Sequence, residues 1–318
     1  MALFLSEDDV RELLPMERAL ERVEASFLAQ SKGEGINRSR KRIILPHCSL
    51  HYMAAALPAE RCLGMKIYTV TRRDFRFGVL LYDAESGELK AVIQADHLGR
   101  IRTGAATGIA TKYLARANAS RVGLIGTGRQ ARTQLEAVTK VLQVSSAKVF
   151  SRDERRRQEF CREMEARLGI HVEPAASAEE AARFGEVIVT ATPAREPVLL
   201  GEWLQPGTHV NAVGANAANR RELDGSALAR ASRIAVDSLE QAQEEAGDLI
   251  QGFAELGRGW EGVVELSSVV SGAGPRRRDE REITIFKSCG IALWDVAVAA
   301  YVYQQALEKS KGKELELW

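Results

Sequence analysis

The stretch 121-RVGLIGTGRQA-131 decides the fold that this sequence predicts. Its first half, Val122 to Ile125, has the apolar residues of a buried strand, and an amphipathic helical pattern follows it. The turn between them reads G-x-G-x-x-A. The first glycine of such a pattern permits a tight turn, the second lets the backbone approach a pyrophosphate, and the small third residue brings helix and strand close together. Because a helix N-terminus also favours phosphate charge, the stretch predicts a dinucleotide-binding turn.

Strand-like and helix-like segments alternate after Ser120, a pattern typical of an α/β protein with a doubly wound parallel sheet. In such sheets the ligand lies beyond the carboxyl ends of the strands. The strands are predicted at 121-RVGLIG-126, 147-AKVFS-151, 186-EVIVTAT-192, 209-HVNAVG-214 and 233-RIAVDS-238. The predicted cofactor contacts are Thr103, Gly126, Thr127, Gly128, Arg129, Gln130, Ala131, Ser151, Arg152, Thr190, Ala191, Thr192, Val213 and Gly214.

The end of the second strand bears on which dinucleotide is bound. An acidic residue at this place would accept hydrogen bonds from the adenosine ribose, whereas a hydroxyl and an arginine suit a 2′-phosphate. The chain has Ser151 and Arg152 here, which favours NADP(H). Asp153 follows directly and could reach a ribose if the turn is shaped differently, so NAD(H) stays open.

The residues before the dinucleotide turn have a different pattern of residue types. Short β-rich runs, RIIL, LHYMAAAL, MKIYTV, GVLLYD and LKAVIQ, predict an antiparallel sheet packed on two N-terminal helices. A helix rich in glycine and alanine follows, 102-RTGAATGIATKYLARA-117. The apolar stretch 284-TIFKSCGIALWDVAVAAYVYQQALEKS-310 predicts one helix that folds back onto this first domain.

Three cations of this first part stand among β-rich or small residues: Arg40, Lys66 and Arg102. A cation in an apolar strand is costly unless it has a partner. One interpretation is that both arginines grip a substrate carboxylate, with Lys66 near the reacting carbon. The alternative is that Lys66 faces solvent and the arginines are surface charges. Asp295 is expected to cap or pack a helix, although contact with substrate is also open.

Composition excludes several other classes of function. Lys plus Arg number 44 and Asp plus Glu 43, a formal charge of +1, so no global field would attract nucleic acid or an anionic membrane. The four cysteines have no C-x-x-C spacing, and the N-terminus turns acidic too soon for a signal peptide, which predicts a reduced, cytoplasmic protein. No apolar run is long enough for a membrane helix. The five histidines form no ligand set at metal spacing, so no metal is expected.

Taken together, the segments resemble the ornithine cyclodeaminase and mu-crystallin family along nearly the whole chain. The resemblance is carried by RSRKR, YMAAALPA, GMKI, IRTGAATGIATKYLA, LIGTGRQA, EPVLLGEWLQPGTHVNAVGANAANRRELD, VDSLEQAQEEAGDL and TIFKSCGIALWD. It implies a Rossmann domain, here 119–290, beside an α+β substrate-binding and dimerisation domain, here 1–118 with 291–318, completed by the C-terminal helix. It also implies a homodimer.

The resemblance further implies site residues. Arg40 and Arg102 match contacts to the substrate carboxylate, Lys66 matches the reactive-site lysine, and Lys287 and Ser288 are expected near the nicotinamide. Met53 is predicted to contact the substrate. Cyclodeaminases of the family have an aspartate in a G-x-D context, where this chain has Asn216 in 214-GAN-216. Because an amide is no general base, this difference at a catalytic position disfavours ornithine cyclisation.

The sequence therefore predicts an NADPH-preferring oxidoreductase that interconverts a small α-imino acid and the corresponding amino acid. Hydride exchange with a carbon bearing an amine or imine is the step that the family resemblance implies. Alternatives are an ornithine cyclodeaminase with bound NAD, an alanine dehydrogenase, and a protein that binds a small ligand with NADPH but turns over little.

Overall fold

The computed structural model describes residues 2–316. In chain order, the first elements are β1 (Ala2–Leu5), α1 (Glu7–Leu13), α2 (Met16–Ser31), β2 (Ile36–Asn37), β3 (Lys41–Ile44), β4 (Cys48–Leu57), β5 (Cys62–Thr71), β6 (Phe75–Asp83), β7 (Leu89–Gln94) and α3 (Asp96–Leu114). The next are β8 (Arg121–Ile125), α4 (Arg129–Val141), β9 (Ser146–Phe150), α5 (Glu154–Leu168), β10 (His171–Pro174), α6 (Ala178–Phe184), β11 (Val187–Thr190), β12 (His209–Ala212) and α7 (Gly225–Arg230). The last are β13 (Arg233–Val236), α8 (Leu239–Glu245), α9 (Gly247–Leu256), β14 (Val263–Glu265), α10 (Leu266–Ser271), β15 (Thr284–Lys287), α11 (Ala292–Glu308) and β16 (Lys313–Leu315).

The chain divides into two units. Unit 1 comprises the described residues of Met1–Ala105 and Ile291–Trp318, and unit 2 is Ala106–Gly290. Helix α3 crosses the boundary, so its first part belongs to unit 1 and its last part to unit 2. The expected assignment of residues 1–118 to a substrate-binding domain is a functional division and stays a prediction.

Unit 1 is built on an eight-stranded sheet in the order β16-β1-β7-β6-β5-β4-β2, with β3 also paired to β4. Strands β4 to β7 are antiparallel, as predicted, while β1 adds to β7 in parallel. Helix α11 packs across β4, β5 and β6. It lies close to the strands because Gly64 has no side chain: a Cβ there would stand 3.1 Å from Val296.

The two faces of this sheet differ. Along β4, buried Met53, Ala55 and Leu57 alternate with half-buried or exposed Tyr52 and Ala54. The same alternation continues on β5 and β6. Since successive side chains of a strand point to opposite faces, one face is covered within the unit and the other is left open.

Unit 2 contains an eight-stranded parallel sheet in the order β10-β9-β8-β11-β12-β15-β13-β14, with every neighbouring pair parallel. This is the doubly wound arrangement expected from the alternating pattern, and the predicted fold class is confirmed. Strand β8, which precedes the glycine turn, lies between β9 and β11, where strand order reverses. That position is where such sheets bind ligands.

One predicted element is wrong. The apolar pattern predicts a single helix over 284–310, but residues Thr284–Lys287 form β15, paired with both β12 and β13. The helix begins only at Ala292. All four residues of β15 are buried, which explains the apolar Ile285 and Phe286 without a helix.

Among residues 2–316, no helix is long and apolar enough to cross a membrane.

Candidate functional site

A buried carboxylate organises the cations of unit 1. Asp295, in the first turn of α11, accepts hydrogen bonds at Oδ1 from Lys66 Nζ on β5 at 2.7 Å and from Arg102 Nε on α3 at 2.9 Å. All three side chains are almost fully buried. Gly99 leaves room for the lysine, because a Cβ there would stand 2.9 Å from Nζ. The interpretation that Lys66 faces solvent is wrong, and Asp295 forms ion pairs where a capping or packing role was expected.

Two further predicted residues lie beside this cluster. Met53 on β4 is the direct cross-strand partner of Lys66, and the Arg40 guanidinium approaches its sulfur, with Nη2 3.8 Å from Sδ. Arg40 is buried as well. The fold therefore brings together the four predicted substrate contacts of unit 1, which we call the cation cluster: Arg40, Met53, Lys66 and Arg102, with Asp295 as their anionic neighbour.

Aromatic rings complete the surroundings of the two ion-paired cations. Lys66 Nζ lies 5.6 Å from the centroid of the Phe77 ring, and Arg102 Cζ lies 5.7 Å from that of Trp294. Cations are attracted to the faces of aromatic rings at such distances. Thr103, expected to contact cofactor, donates its hydroxyl to Gly99 O at 2.7 Å within α3.

The electrostatics of the cluster affect the protonation of Lys66. Burial lowers the pKa of Lys66 to about 8, and the positive charges of Arg102 and Arg40 act in the same direction. Asp295 acts in the opposite direction and favours the ammonium form. A lysine whose pKa lies near neutrality can both give and take a proton at physiological pH, which is what a general acid or base requires.

The glycine turn of unit 2 has the shape that a diphosphate needs. Gly126 follows β8 with a φ of +114°, and a Cβ there would stand 2.5 Å from Ala191 O, so only glycine fits. Gly128 precedes α4, and a Cβ built on it meets nothing within 4 Å. Ala131 is fully buried, which fits the small residue expected where helix and strand pack.

The N-terminus of α4 is also suited to an anion. No side chain caps the first turn at Gly128. Backbone N–H groups of a first helical turn have no partner within their helix, and they are a ready site for phosphate. The open space beside Gly128 and the uncapped turn fit a dinucleotide, with Thr127, Arg129 and Gln130 in the same turn.

Three neighbouring residues after β9 differ in their contacts. Asp153 is the N-cap of α5, where its side chain accepts from Arg156 N at 3.0 Å. Ser151 donates its hydroxyl to Asp153 O at 3.2 Å, and its own carbonyl accepts from Arg157. Arg152 is exposed. The carboxylate of Asp153 is thus engaged with its own helix, while the arginine before it extends from the surface of the unit.

The loops at the carboxyl ends of β11 and β12 are held by a residue that the sequence analysis missed. Glu222 is fully buried, and its Oε1 accepts from both Thr192 N at 2.7 Å and Thr192 Oγ1 at 2.8 Å. Its Oε2 accepts from Gly214 N at 2.7 Å. One carboxylate thereby fixes the loops that contain the predicted contacts Ala191, Thr192, Val213 and Gly214, directly after Thr190 at the end of β11.

Lys287 takes part in the same network. It ends β15, forms a buried ion pair with Asp248 at 2.8 Å and donates to Ala215 O. Asp248 Oδ1 in turn accepts from Leu223 N at 2.8 Å. Burial alone would lower the pKa of Lys287, but Asp248 raises it above its ordinary value. The lysine remains charged and supports the loops, while its expected contact with nicotinamide stays a prediction.

Two other predicted residues differ in exposure. Ser288 is buried and donates to Asp237 Oδ2 at 3.0 Å. Asn216, the residue in the catalytic G-x-D context, is exposed on the loop after β12. The roles of both residues in binding or catalysis stay predictions. In the part of the chain that the structure describes, no group of three or more His, Cys, Asp or Glu side chains could hold a metal ion.

Sequence signals existed for Glu222, which was missed, and for the ion-pairing role of Asp295. Asp295 and Glu222 are acidic residues inside apolar or structured segments, 291-IALWDVAVAA-300 and 221-RELD-224, where a charge needs a partner. The partners could not be identified because Asp295 and Lys66 are 229 positions apart, and Glu222 and Thr192 are 30 apart.

Comparisons with known proteins identify the family of this chain. The chain matches the model of the ornithine cyclodeaminase/mu-crystallin family over residues 1–310. It is 37% identical over 287 residues to a Delta(1)-pyrroline-2-carboxylate reductase of Bacillus cereus, a match covering 86% of this chain and 88% of that protein.

Two solved structures are also similar. Thermococcus litoralis Delta(1)-pyrroline-2-carboxylate reductase in complex with NADH and L-proline has a TM-score of 0.95 and 34% identity, covering 98% of this chain and 100% of that one. An archaeal alanine dehydrogenase dimer with bound NAD has a TM-score of 0.94 and 35% identity, covering 100% and 99% of the two chains. The resemblance predicted from the motifs is confirmed, and this chain belongs to the ornithine cyclodeaminase/mu-crystallin family.

Proposed function

We propose that this protein is an NAD(P)H-dependent reductase that interconverts a small α-imino acid and the corresponding amino acid. The observation that carries the proposal is the cation cluster, in which Lys66 and Arg102 share one buried carboxylate oxygen of Asp295. One negative charge for two cations leaves positive charge available to a substrate carboxylate. Arg102 Nη1 is buried and has no hydrogen-bond partner among residues 2–316, so an additional acceptor would satisfy it.

The chain's own residues supply binding and proton transfer. Arg102 and Arg40 hold the carboxylate, and Met53 packs beside Lys66 on the neighbouring strand. A bound nicotinamide dinucleotide would supply or accept the hydride. In the direction of reduction the imine C=N bond would gain a hydride at carbon, at the expense of NAD(P)H, and a proton at nitrogen. Lys66 is the proton donor, because burial brings its pKa to about 8 while its hydrogen bond to Asp295 favours the ammonium form.

The relatives and Asn216 together favour reduction over cyclodeamination. The B. cereus and T. litoralis relatives are reductases of a cyclic imino acid. The exposed amide of Asn216 cannot take a proton from a substrate amine. An alanine dehydrogenase remains the second candidate, because the archaeal relative with 35% identity is one.

A substrate panel tests the proposed reaction. The purified protein is expected to oxidise NAD(P)H in the presence of Delta(1)-pyrroline-2-carboxylate or Delta(1)-piperideine-2-carboxylate, followed by the loss of absorbance of the reduced nicotinamide. Pyruvate with ammonia measures the alanine dehydrogenase alternative. Ornithine should give neither proline nor ammonia. Reduction of no imine, or release of ammonia from ornithine, would contradict the proposal.

The rate of reduction should depend on pH through Lys66. Reduction needs the protonated lysine, so kcat/KM should fall above about pH 8, after correction for protonation of the imine itself. Replacing Asp295 removes the charge that favours the ammonium, so Asp295→Asn should move this fall to lower pH. Lys66→Met should abolish it and reduce kcat/KM by about 10²- to 10⁴-fold.

Asp96→Asn is the control for that pH profile. It removes an ion pair with Arg100 on the same helix α3 but outside the cation cluster, so the profile should not move. A profile that is unchanged in Asp295→Asn, with the enzyme still folded and active, would show that Lys66 is not the titrating acid.

We further propose that NADPH is preferred over NADH. The support is Arg152, exposed at the end of β9, together with the engagement of Asp153 as the N-cap of α5. An arginine with a neighbouring serine suits a 2′-phosphate, whereas a capping aspartate is less able to bind a ribose. The two solved relatives contain NADH and NAD, so a preference for NADPH would distinguish this chain from them.

Arg152→Ala tests the cofactor preference. Loss of the guanidinium should reduce kcat/KM for NADPH by about 10-fold or more, because a charge-assisted contact to phosphate contributes roughly 1.5–3 kcal/mol. The value for NADH should change little. Arg155→Ala, which removes another exposed arginine in the first turn of α5, is the control. Equal rates of the wild-type protein with both cofactors would refute the preference.

We also propose that the protein is a homodimer formed through the open face of the unit 1 sheet. The central part of this face is apolar, although the described residues of unit 1 leave it open. Its half-buried or exposed apolar residues are Ile43, Leu50, Tyr52, Ala54, Ala56, Leu63, Met65, Ile67, Leu80 and Tyr82. Contiguous apolar surface of this kind marks an interface, and the archaeal relative is a dimer.

Ile67→Lys tests the dimer. An ammonium in the middle of an apolar interface has no partner, so the variant should be monomeric by size-exclusion chromatography with light scattering. Leu307→Lys, at an exposed position of α11, should remain dimeric. A monomeric wild-type protein, or a folded Ile67→Lys variant that is still dimeric, would disprove this interface.

The four cysteines, Cys48, Cys62, Cys161 and Cys289, are free. Since disulfides are rare in reducing compartments, the free thiols support our proposal that the reaction takes place in the cytoplasm.

A further inference from the structure

Three rings form a row across the covered face of the unit 1 sheet. Tyr68 on β5 is the direct cross-strand partner of His51 on β4 and of Phe77 on β6. The His51 and Tyr68 rings are stacked, with centroids 4.6 Å apart and an angle of 17° between their planes. The centroids of Tyr68 and Phe77 are 5.0 Å apart. We call these three residues the aromatic row.

The aromatic row is next to the cation cluster. Tyr68 lies two residues after Lys66 on the same strand, and His51 lies two residues before Met53, so both pairs share one face. Contact is direct at one point, where Lys66 Nζ lies 5.6 Å from the Phe77 ring. The preceding row of the sheet, Met53 with Lys66, is buried, whereas the rings of the aromatic row are half-buried.

The half-buried rings lie beside the cluster proposed to bind the substrate carboxylate, so they are suited to contact the side chain of that substrate. An α-imino acid has its side chain on the carbon next to the carboxylate, so a molecule held by Arg102 and Lys66 places its side chain a few atoms away. Aromatic rings provide large, rigid apolar contact area. We infer that the aromatic row receives the ring of a cyclic α-imino acid, with the substrate carboxylate on the cation cluster. This inference rests on the proposed function and extends it to the substrate class.

The charges around the aromatic row favour a substrate whose ring is uncharged. Burial lowers the pKa of His51 to about 4, helped by Arg42, its cross-strand partner on β3, and by Arg40, so the imidazole is uncharged at neutral pH. The imidazole is held by Ser49, whose Oγ lies 2.8 Å from Nε2. A side chain with an ammonium group would be repelled by the positive charges of Arg40, Arg42 and Lys66, which disfavours ornithine-like substrates here.

The test compares a cyclic and an open-chain imine that share the carboxylate and the C=N bond. They are Delta(1)-pyrroline-2-carboxylate and the imine formed from pyruvate and methylamine. The wild-type protein should have a kcat/KM at least about 10-fold higher for the cyclic imine, since methylene groups in a fitted apolar site contribute factors of roughly 10 or more. Tyr68→Ser should remove most of this ratio and leave the rate with the open-chain imine within about threefold.

Two variants control for damage to the sheet. Tyr68→Phe keeps the ring and should keep the ratio, while Thr69→Ala changes the next residue, whose side chain points to the other face, and should also keep it. KM for NAD(P)H should be the same in all variants.

The outcomes separate this inference from the proposed function. If the wild-type protein reduces both imines equally, or if Tyr68→Ser lowers both rates together or changes only KM for NAD(P)H, the inference is wrong and the proposed function stands. If the wild-type protein reduces neither imine, the proposed function fails and the inference fails with it.

Discussion

The arrangement of unit 1 depends on the buried carboxylate of Asp295. Its Oδ1 binds Lys66 from β5 and Arg102 from α3, and the aspartate itself belongs to α11. Taking three charges out of water is costly, and removing one member of a buried pair leaves an uncompensated charge worth about 3–5 kcal/mol. The sheet, the small-residue helix and the C-terminal helix must therefore meet at this point. Helix α11 thus packs on the first domain for two reasons: its apolar residues are buried there, and Asp295 neutralises charge on Lys66 and Arg102.

Much of the fold could be predicted because its signals are local. The strand, the glycine turn and the amphipathic helix of 121-RVGLIGTGRQA-131 follow one another directly, and each has its own pattern. The error over 284–310 has a physical reason. A short buried strand and a buried helix are both rich in apolar residues, and β15 precedes α11 by only a few residues, so periodicity does not separate them. Only pairing with β12 and β13, which are distant in sequence, makes Thr284–Lys287 a strand.

Some residues of the candidate site could likewise be predicted from the sequence, whereas their partners could not. The cations Arg40, Lys66 and Arg102 could be named from the sequence because charges among apolar or small residues need partners. The partner was not identified, since a capping aspartate and an ion-paired aspartate look alike in a helical sequence. Likewise, the sequence left open whether Asp153 reaches a ribose, and only the hydrogen bond from Arg156 N identifies its carboxylate as the N-cap of α5. Such choices are made by the tertiary geometry, which composition and spacing do not contain.

Unit 2 has a buried carboxylate with a comparable effect on loops. Just beyond β11 and β12, the N–H groups of Thr192 and Gly214 donate to a side chain and not to a strand, and buried donors need acceptors. Glu222 supplies both its oxygens to Thr192 and Gly214. Burial and nearby Asp248 raise the pKa of Glu222, and the ion pair of Asp248 with Lys287 offsets part of that cost. Acceptors with fixed positions can thus set the shape of loops that sheet pairing leaves undefined. Ligands of such sheets lie beyond the strand ends. The position of a bound cofactor would therefore depend on this buried network as much as on the residues that contact the cofactor.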